Sequence, residues 1–300
     1  MVGNLLASLP SHLAGSLLST WLSLFCVGRL DSAFCSRKYR QTLLAILGSI
    51  EFVHNNEPHI EGLLFLLWLS LRQVHVLSIA LDFRVDVEVI SKYMKTRGRF
   101  LRILQLSNAV PADLAIVSST CRQLNSYSNF HAHFNCAFVT VLKRNEQLQE
   151  LRLNHLTFNP AFVMPDLSLP LLSTLSMRNS WCNDNILSKI GSCSSCLLKL
   201  DLENTKGVTD AAMLIVALKC PRLTALGLGR VHLRSSTIVE VCALCPGIQN
   251  LELFGLSSVR FVRKKPRSSF GSAKNAYQPS VTVRRFAIDS RETFRRSFLW

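Results

Sequence analysis

Residues 208–228 read Val208-Thr209-Asp210-Ala211-Ala212-Met213-Leu214-Ile215-Val216-Ala217-Leu218-Lys219-Cys220-Pro221-Arg222-Leu223-Thr224-Ala225-Leu226-Gly227-Leu228. Two periodicities meet in this stretch. Leu226 and Leu228 stand two apart, a spacing that puts both side chains on one face of a strand, and Leu223 precedes them to pack beneath. Upstream, Thr209-Asp210 opens an apolar run from Ala211 to Leu218, and Thr and Asp are side chains that cap helix N-termini. Pro221 then stops the helix, because it has no N–H and its ring clashes with the preceding turn. A single strand–helix unit of this kind cannot bury its apolar face, whereas stacked copies form one continuous core.

Copies are present. The spacing L-x-x-L-x-L recurs as Val74/Leu77/Ile79, Leu101/Leu104/Leu106, Leu148/Leu151/Leu153, Leu172/Leu175/Met177, Leu197/Leu200/Leu202 and Ile248/Leu251/Leu253. The middle residues Leu151, Leu175, Leu200, Leu226 and Leu251 follow one another at 24, 25, 26 and 25 residues. The 27 residues from Leu77 to Leu104 fit the same period, and the 47 from Leu104 to Leu151 fit two units, one of them degenerate near Leu124. Asn183-Asp184-Asn185 and Ser235-Ser236-Thr237 are predicted to cap further helices, and Cys245-Pro246 repeats the stop at Cys220-Pro221. A period of roughly 20–29 residues is that of leucine-rich repeats. Val208–Ala212 with Cys220-Pro221, Asp201-Leu202 and Cys245-Pro246 resembles the cysteine-containing subtype, strongly over 145–256 and more weakly over 74–144. The resemblance implies an α/β solenoid, a horseshoe with parallel strands inside and helices outside. Repeats are expected over 74–258.

In such strands the positions between the buried leucines face outward. Arg152, Asn154, Ser176, Arg178, Asp201, Glu203, Gly227, Gly229, Glu252 and Phe254 are therefore the expected partner-facing set. Their chemistry is mixed, so they predict a protein surface without naming the protein.

Residues 1–50 lie outside the repeat. Leu9-Pro10, Leu13, Leu17-Leu18, Trp21-Leu22, Val27, Leu30, Ala33, Cys35, Leu43-Leu44 and Leu47 mix intervals of three, four and one, a helical spacing. The block resembles an F-box. It departs from that family in having Lys38-Tyr39-Arg40 where a tryptophan is usual and Asp31 in the middle of an apolar helix. The resemblance implies docking on the Skp-type adaptor of a cullin ubiquitin ligase through Leu9, Pro10, Leu13, Leu17, Leu18 and Leu22. A plain helical cap over the open end of the array is the other reading, since repeat arrays need caps. A linking helix is expected over 51–73.

The chain has 300 residues, 48% of them hydrophobic and only 18% charged. That is below the roughly one-quarter charged of ordinary domains and points to a long core or a covered surface. The net charge of +15 is concentrated near the C-terminus. Eleven basic residues against Asp289 and Glu292 leave +9 in residues 260–300 and +6 in the rest. Residues 259–300 show no period and read as a flexible basic tail. Arg263-Lys264-Lys265-Pro266-Arg267 is similar to a short nuclear-import patch, and could instead touch nucleic acid or an acidic partner. No C-terminal capping unit is recognisable, so either the tail folds back as one or the array continues. Most of the ten cysteines sit in apolar, helix-like stretches or before strands, as buried reduced thiols do. Leu5–Val27 lacks a basic leader, and Gly62–Leu71 is about half a membrane span, so both read as buried helices. A cytoplasmic location follows, with a nuclear alternative, and no membrane partner.

Candidate chemistry is sparse. Cys193-Ser194-Ser195-Cys196 has metal-site spacing but no second pair, and reads as structural. His131-Ala132-His133 with Cys136 falls in the degenerate unit and reads as an irregular solvated loop. No phosphate loop or catalytic motif occurs, and Asp201, Asp210 and Glu240 have simpler uses as caps or surface charges. The chain is expected to bind rather than catalyse, with no cofactor and no metal. The leading expectation is a substrate-recognition subunit of a Skp-cullin-F-box type ubiquitin ligase, with the adaptor on residues 1–50 and a protein substrate on the repeats. The other expectations are a repeat scaffold without a ligase link and, more weakly, nucleic-acid binding through the tail.

Overall fold

In the computed structural model the chain is described over residues 9–21, 24–33, 37–49, 51–52, 63–82, 87–131, 133–158, 164–253 and 282–284. It divides into two compact units, 1–148 and 149–300.

The first unit opens with three helices, α1 (Ser11–Trp21), α2 (Leu24–Ala33) and α3 (Arg37–Ser49). Pro10 starts α1 by presenting its carbonyl to the N–H groups of Leu13 and Ala14, both at 3.0 Å. α1 packs on α3, and Ala14, Leu18, Val27, Leu43, Ile46 and Leu47 form the apolar centre. Next come strand β1 (Glu51–Phe52), helix α4 (Leu63–Leu71) and strand β2 (His75–Val76), with β1 pairing parallel to β2. The apolar run before residue 72 is thus a short helix within the unit. Among the described residues no helix is long and apolar enough to cross a membrane.

Asp31, out of place in an apolar helix, is 2% exposed and has a structural use. Its carboxylate accepts from Trp68 Nε1 at 2.9 Å and from Arg72 Nε at 2.8 Å, and Arg40 Nη2 stands 3.9 Å away. It ties α2 to the end of α4, immediately before the first strand of the array. A buried carboxylate held this way costs several kcal/mol to orphan.

Three strand–helix repeats complete the unit. β3 (Ser78–Asp82), β4 (Ile103–Ser107) and β5 (Ser126–Phe130) pair parallel. Helices α5 (Val87–Arg97), α6 (Pro111–Thr120) and α7 (Cys136–Lys143) alternate with them, and a two-residue strand β6 (His133–Phe134) precedes α7. The register runs Ile79–Leu104–Tyr127 and Leu81–Leu106–Asn129.

This register corrects the sequence reading of the first repeat by two residues. Val76/Ile79/Leu81 is the buried triplet, and Leu77 stands partly exposed. A slip of two keeps every side chain on its face, so alternating Val74, Val76, Ile79 and Leu81 did not reveal it. The degenerate unit near Leu124 is real, with Tyr127 and Asn129 in the leucine places. Both are fully buried, and Asn129 Nδ2 donates to Tyr127 Oη at 3.2 Å. The Tyr127 ring packs near Phe138, which packs on Phe134, replacing aliphatic with aromatic filling. The His131–Cys136 segment is therefore part of a repeat rather than an irregular loop, and no metal-holding group of three ligands occurs among the described residues.

In the second unit β7 (Glu150–Asn154), β9 (Thr174–Ser176), β10 (Lys199–Asp201), β11 (Ala225–Gly227) and β12 (Asn250–Glu252) form a parallel ladder. The two-residue strand β8 (Thr157–Phe158) follows β7. Helices α8 (Asp184–Cys193), α9 (Asp210–Lys219) and α10 (Ser235–Leu244) alternate with the later strands and pack in sequence. Leu151, Leu175, Leu200, Leu226 and Leu251 are mutual register partners in one interior row, each at most 1% exposed. Fully burying a leucine is worth about 1.5–3 kcal/mol, and Leu153, Met177, Leu202 and Leu228 add a second buried row. Strand β13 (Thr282–Arg284) continues the ladder by pairing parallel to β12. The sequence reading placed no strand in the tail; residues 254–281 and 285–300, including the basic patch at 263–267, lie outside the described residues.

Two further features recur from repeat to repeat. Two thiols before leucine triplets donate to the end of the preceding helix: Cys220 to Gly191 O and Ser194 O, Cys245 to Ala217 O and Cys220 O, all at 3.4–3.5 Å. Asn145 stands in the same place. Its Nδ2 donates to Cys121 O at 3.1 Å and Val141 O at 2.8 Å, and its Oδ1 accepts from Leu124 N at 2.9 Å. Second, the chain turns left-handed after the strands at Asn108, His131, His155, Asn179, Asn204 and Arg230, with φ between 53° and 58°. Asn and His tolerate that conformation better than most residues. Asn204 Nδ2 also donates to Asn179 Oδ1 at 2.8 Å.

Helix caps agree with the sequence at Asn183 and Thr209, whose side chains accept from Ile186 N and Ala212 N. They differ at the last helix. Its N-cap is Arg234, which makes no side-chain cap. Asp210 of the preceding repeat supplies the acceptor, taking Arg234 N at 3.0 Å. Asp184 does the same for Thr209, accepting from its N–H at 3.2 Å and its hydroxyl at 2.6 Å.

Candidate functional site

The outward face of strands β7 and β9–β12 is a groove of about 420 Å³. Its geometry follows from strand register. Positions on either side of each buried leucine project outward, giving one row of Thr174, Lys199, Ala225 and Asn250 and another of Ser176, Asp201, Gly227 and Glu252. Arg152 and Asn154 on β7 and Arg178 after β9 close one side.

Small residues make the hollow. A Cβ placed on Gly227 would stand 2.9 Å from Asp201 Oδ1, so any larger residue there would displace that carboxylate. Arg178 spans the groove wall: its Nε donates to Asp201 Oδ2, and its Nη1 lies 3.3 Å from Glu203 Oε2. Partial burial opposes its charge, and the Asp201 hydrogen bond with the fields of Asp201, Glu203 and Glu252 outweighs that and raises its pKa. Asp201 Oδ1 accepts from Glu203 N at 3.1 Å. Arg152 Nε donates to Glu150 Oε1 at 2.8 Å. Asn154 Oδ1 accepts from Ser176 Oγ at 3.3 Å and from Arg178 N at 3.2 Å. The result is a salt-bridged, hydrogen-bonded surface above the buried leucine row.

The strands form a parallel ladder with alternating helices, each strand pairing the leucines of successive repeats. Of the residues that the repeat pattern assigned to its partner face, Arg152, Asn154, Arg178, Asp201, Glu203 and Glu252 stand exposed or half-exposed on this side. Ser176, at 8% exposure, and the two glycines Gly227 and Gly229 are instead buried, Ser176 low in the groove under its bond to Asn154. Phe254 lies outside the described residues. The sequence reading missed Thr174, Lys199, Ala225 and Asn250. They precede the middle leucine of each triplet, and strand alternation alone would have added them.

The array's N-terminal helices carry the other candidate surface. Pro10 is exposed and Leu9 half-exposed; Leu13 and Leu17, one helical turn apart on α1, are 48% and 45% exposed. Leu18 is 2% exposed and belongs to the core of the helical block, so it is not available to a partner on this surface. Leu22 lies outside the described residues. The Cys193 and Cys196 thiols of the array are free and partly buried.

No family model and no curated protein matches this sequence. A chain in the crystal structure of the Rad7 and Elc1 complex in yeast is similar, at 15% identity and a TM-score of 0.41 over 94% of this chain and 90% of that chain.

Proposed function

We propose that this chain is a non-catalytic recruiting subunit of a Skp-cullin-F-box type ubiquitin ligase. Its N-terminal helices would hold the adaptor and its strand face the protein to be modified. One observation carries the adaptor half: Leu13 and Leu17 remain nearly half exposed beside Pro10, while Leu18 is buried one residue away. Large apolar side chains left in water on one helix face mark a contact surface. The groove of Arg152, Arg178, Lys199, Asp201 and Glu252 supports the substrate half. The chain would form and break no bond. Its effect on rate would be effective concentration, by keeping target lysines near the transferase.

A second reading keeps the array as a scaffold with residues 1–50 as its cap. Asp31 favours it, since its bonds to Trp68 and Arg72 fasten the helical block to the segment leading into the first strand. Proximity labelling in cells separates the two. With the wild-type chain, the ligase reading expects an adaptor and a substrate to be labelled. Leu13→Asp with Leu17→Asp should lose the adaptor and keep the substrate, and Asp201→Arg with Glu252→Arg should do the reverse. Labelling without any adaptor in the wild type would leave the scaffold.

A further inference from the structure

Away from the strand face, a pocket of about 330 Å³ opens beside the C-terminal ends of α5 and α6, lined by Lys95, Arg99, Ser119, Thr120, Arg122 and Gln123. Three cations line it and no acid does. Residues 87–148 hold eight basic residues and three acids, and the acids are placed elsewhere. Glu88 lies in the first turn of α5, at the opposite end from Lys95. Asp113 is buried and caps α6 by accepting from Val110 N. Glu146 follows α7, one repeat further on.

Basic residues near a helix C-terminus ordinarily serve its carbonyls. Here three carbonyls near the end of α6 already take other donors. Ile116 O accepts from the Ser119 and Thr120 hydroxyls, Val117 O from Cys121 N, and Ser118 O from Arg144. At the rim, Gln123 O accepts from Arg102 and Arg122 O from Gln147. These five acceptors take other donors, and no hydrogen bond from Lys95, Arg99 or Arg122 goes to them. Arg99 is also held in place, with its guanidinium 4.7 Å from the centre of the Phe100 ring, which stacks on His75.

We propose that this pocket binds a phosphate monoester. The dianion matches a compact cluster of three cations, and two arginines offer the planar donor forks that suit phosphate oxygens. The volume is at the lower end of small-ligand pockets, roughly 300–1,000 Å³, which fits one phosphate with the group that carries it better than a polymer. The proposal is independent of the ligase reading, because it uses neither α1 nor the strand groove.

The test titrates the full chain with inorganic phosphate, O-phosphoserine and a phosphoserine peptide at constant ionic strength, by calorimetry, with serine as control. Saturable binding of a phosphate species and none of serine is expected. Arg99→Gln and Arg122→Gln should each weaken it by about tenfold, the worth of one charge-assisted hydrogen bond, with an unchanged urea midpoint because both side chains are exposed. Preference for the peptide over inorganic phosphate would assign the group to a protein, and equal affinity would assign a free small anion. Equal affinity of wild type and the double variant would overturn the proposal. So would binding of single-stranded RNA, steep in salt, with no saturable phosphate binding.

Discussion

Replacing Asn145 with alanine removes more than a side chain. Asn145 is 1% exposed and bridges two repeats, with Nδ2 on Cys121 O and Val141 O and Oδ1 on Leu124 N. Alanine leaves two carbonyls and one amide without that partner in a site water does not reach. Each orphaned buried group costs about 1–3 kcal/mol, and the three together should cost about 4 kcal/mol. Against a total stability of about 5–15 kcal/mol, that is a large fraction. Asn145→Cys is the informative companion. Cys220 and Cys245 occupy the same place in later repeats and donate to the same class of carbonyl. A thiol at 145 should restore one donor, to Cys121 O, and leave Val141 O and Leu124 N without their partner, recovering about a third of the loss. Urea unfolding monitored by circular dichroism, in reductant, reads both values from the midpoint and slope. An alanine variant within about 0.5 kcal/mol of wild type, the range of ordinary surface changes, would refute the reasoning. A cysteine variant no better than alanine would show that the Cys and Asn positions are not equivalent.

Three further outcomes are expected. Leu200→Ala, at the centre of the leucine row between Leu175 and Leu226, should cost about 2–5 kcal/mol by cavity formation, read by the same unfolding assay. Hydrogen bonds from Arg234 N and Thr237 hold the Asp210 carboxyl below the usual range. A lowered folded pKa gives stability that is present above the unfolded value and lost as pH falls through the folded one. Acid unfolding should therefore shift in Asp210→Asn, whose stability should fall less between neutral and acid pH than that of wild type. Burial pushes the Cys121 and Cys182 thiols up to about 12 and Cys220 and Cys245 up to about 11. Mass spectrometry after brief alkylation at pH 8 should find Cys26 and Cys136, both exposed, modified before those four.

The repeat was legible because leucines at fixed spacing carry their own register: Leu151 to Leu251 fall in the row that the spacing assigned. It failed where the pattern was degenerate. Val74, Val76, Leu77, Ile79 and Leu81 allow two in-phase readings, and only strand pairing selects the second. The left-handed turns were hidden because Asn108, His131, His155, Asn179, Asn204 and Arg230 share a backbone angle rather than a side chain. The groove was half legible. Alternation identified Arg178 and Asp201, but the hollow arises from what is missing at Gly227, which becomes meaningful only against the Asp201 carboxylate. Asp31 looked like a defect in an apolar helix because its partners Trp68 and Arg72 lie 37 and 41 residues away. The last cap was misassigned for the same reason, since Asp210 acts across a repeat boundary.

The ligase reading is tested most directly by calorimetric titration of the purified chain with a purified Skp-type adaptor. It predicts a saturable complex that Leu13→Asp with Leu17→Asp abolishes while the unfolding midpoint stays put. Absence of any complex with the wild-type chain, or a complex indifferent to both substitutions, would contradict it.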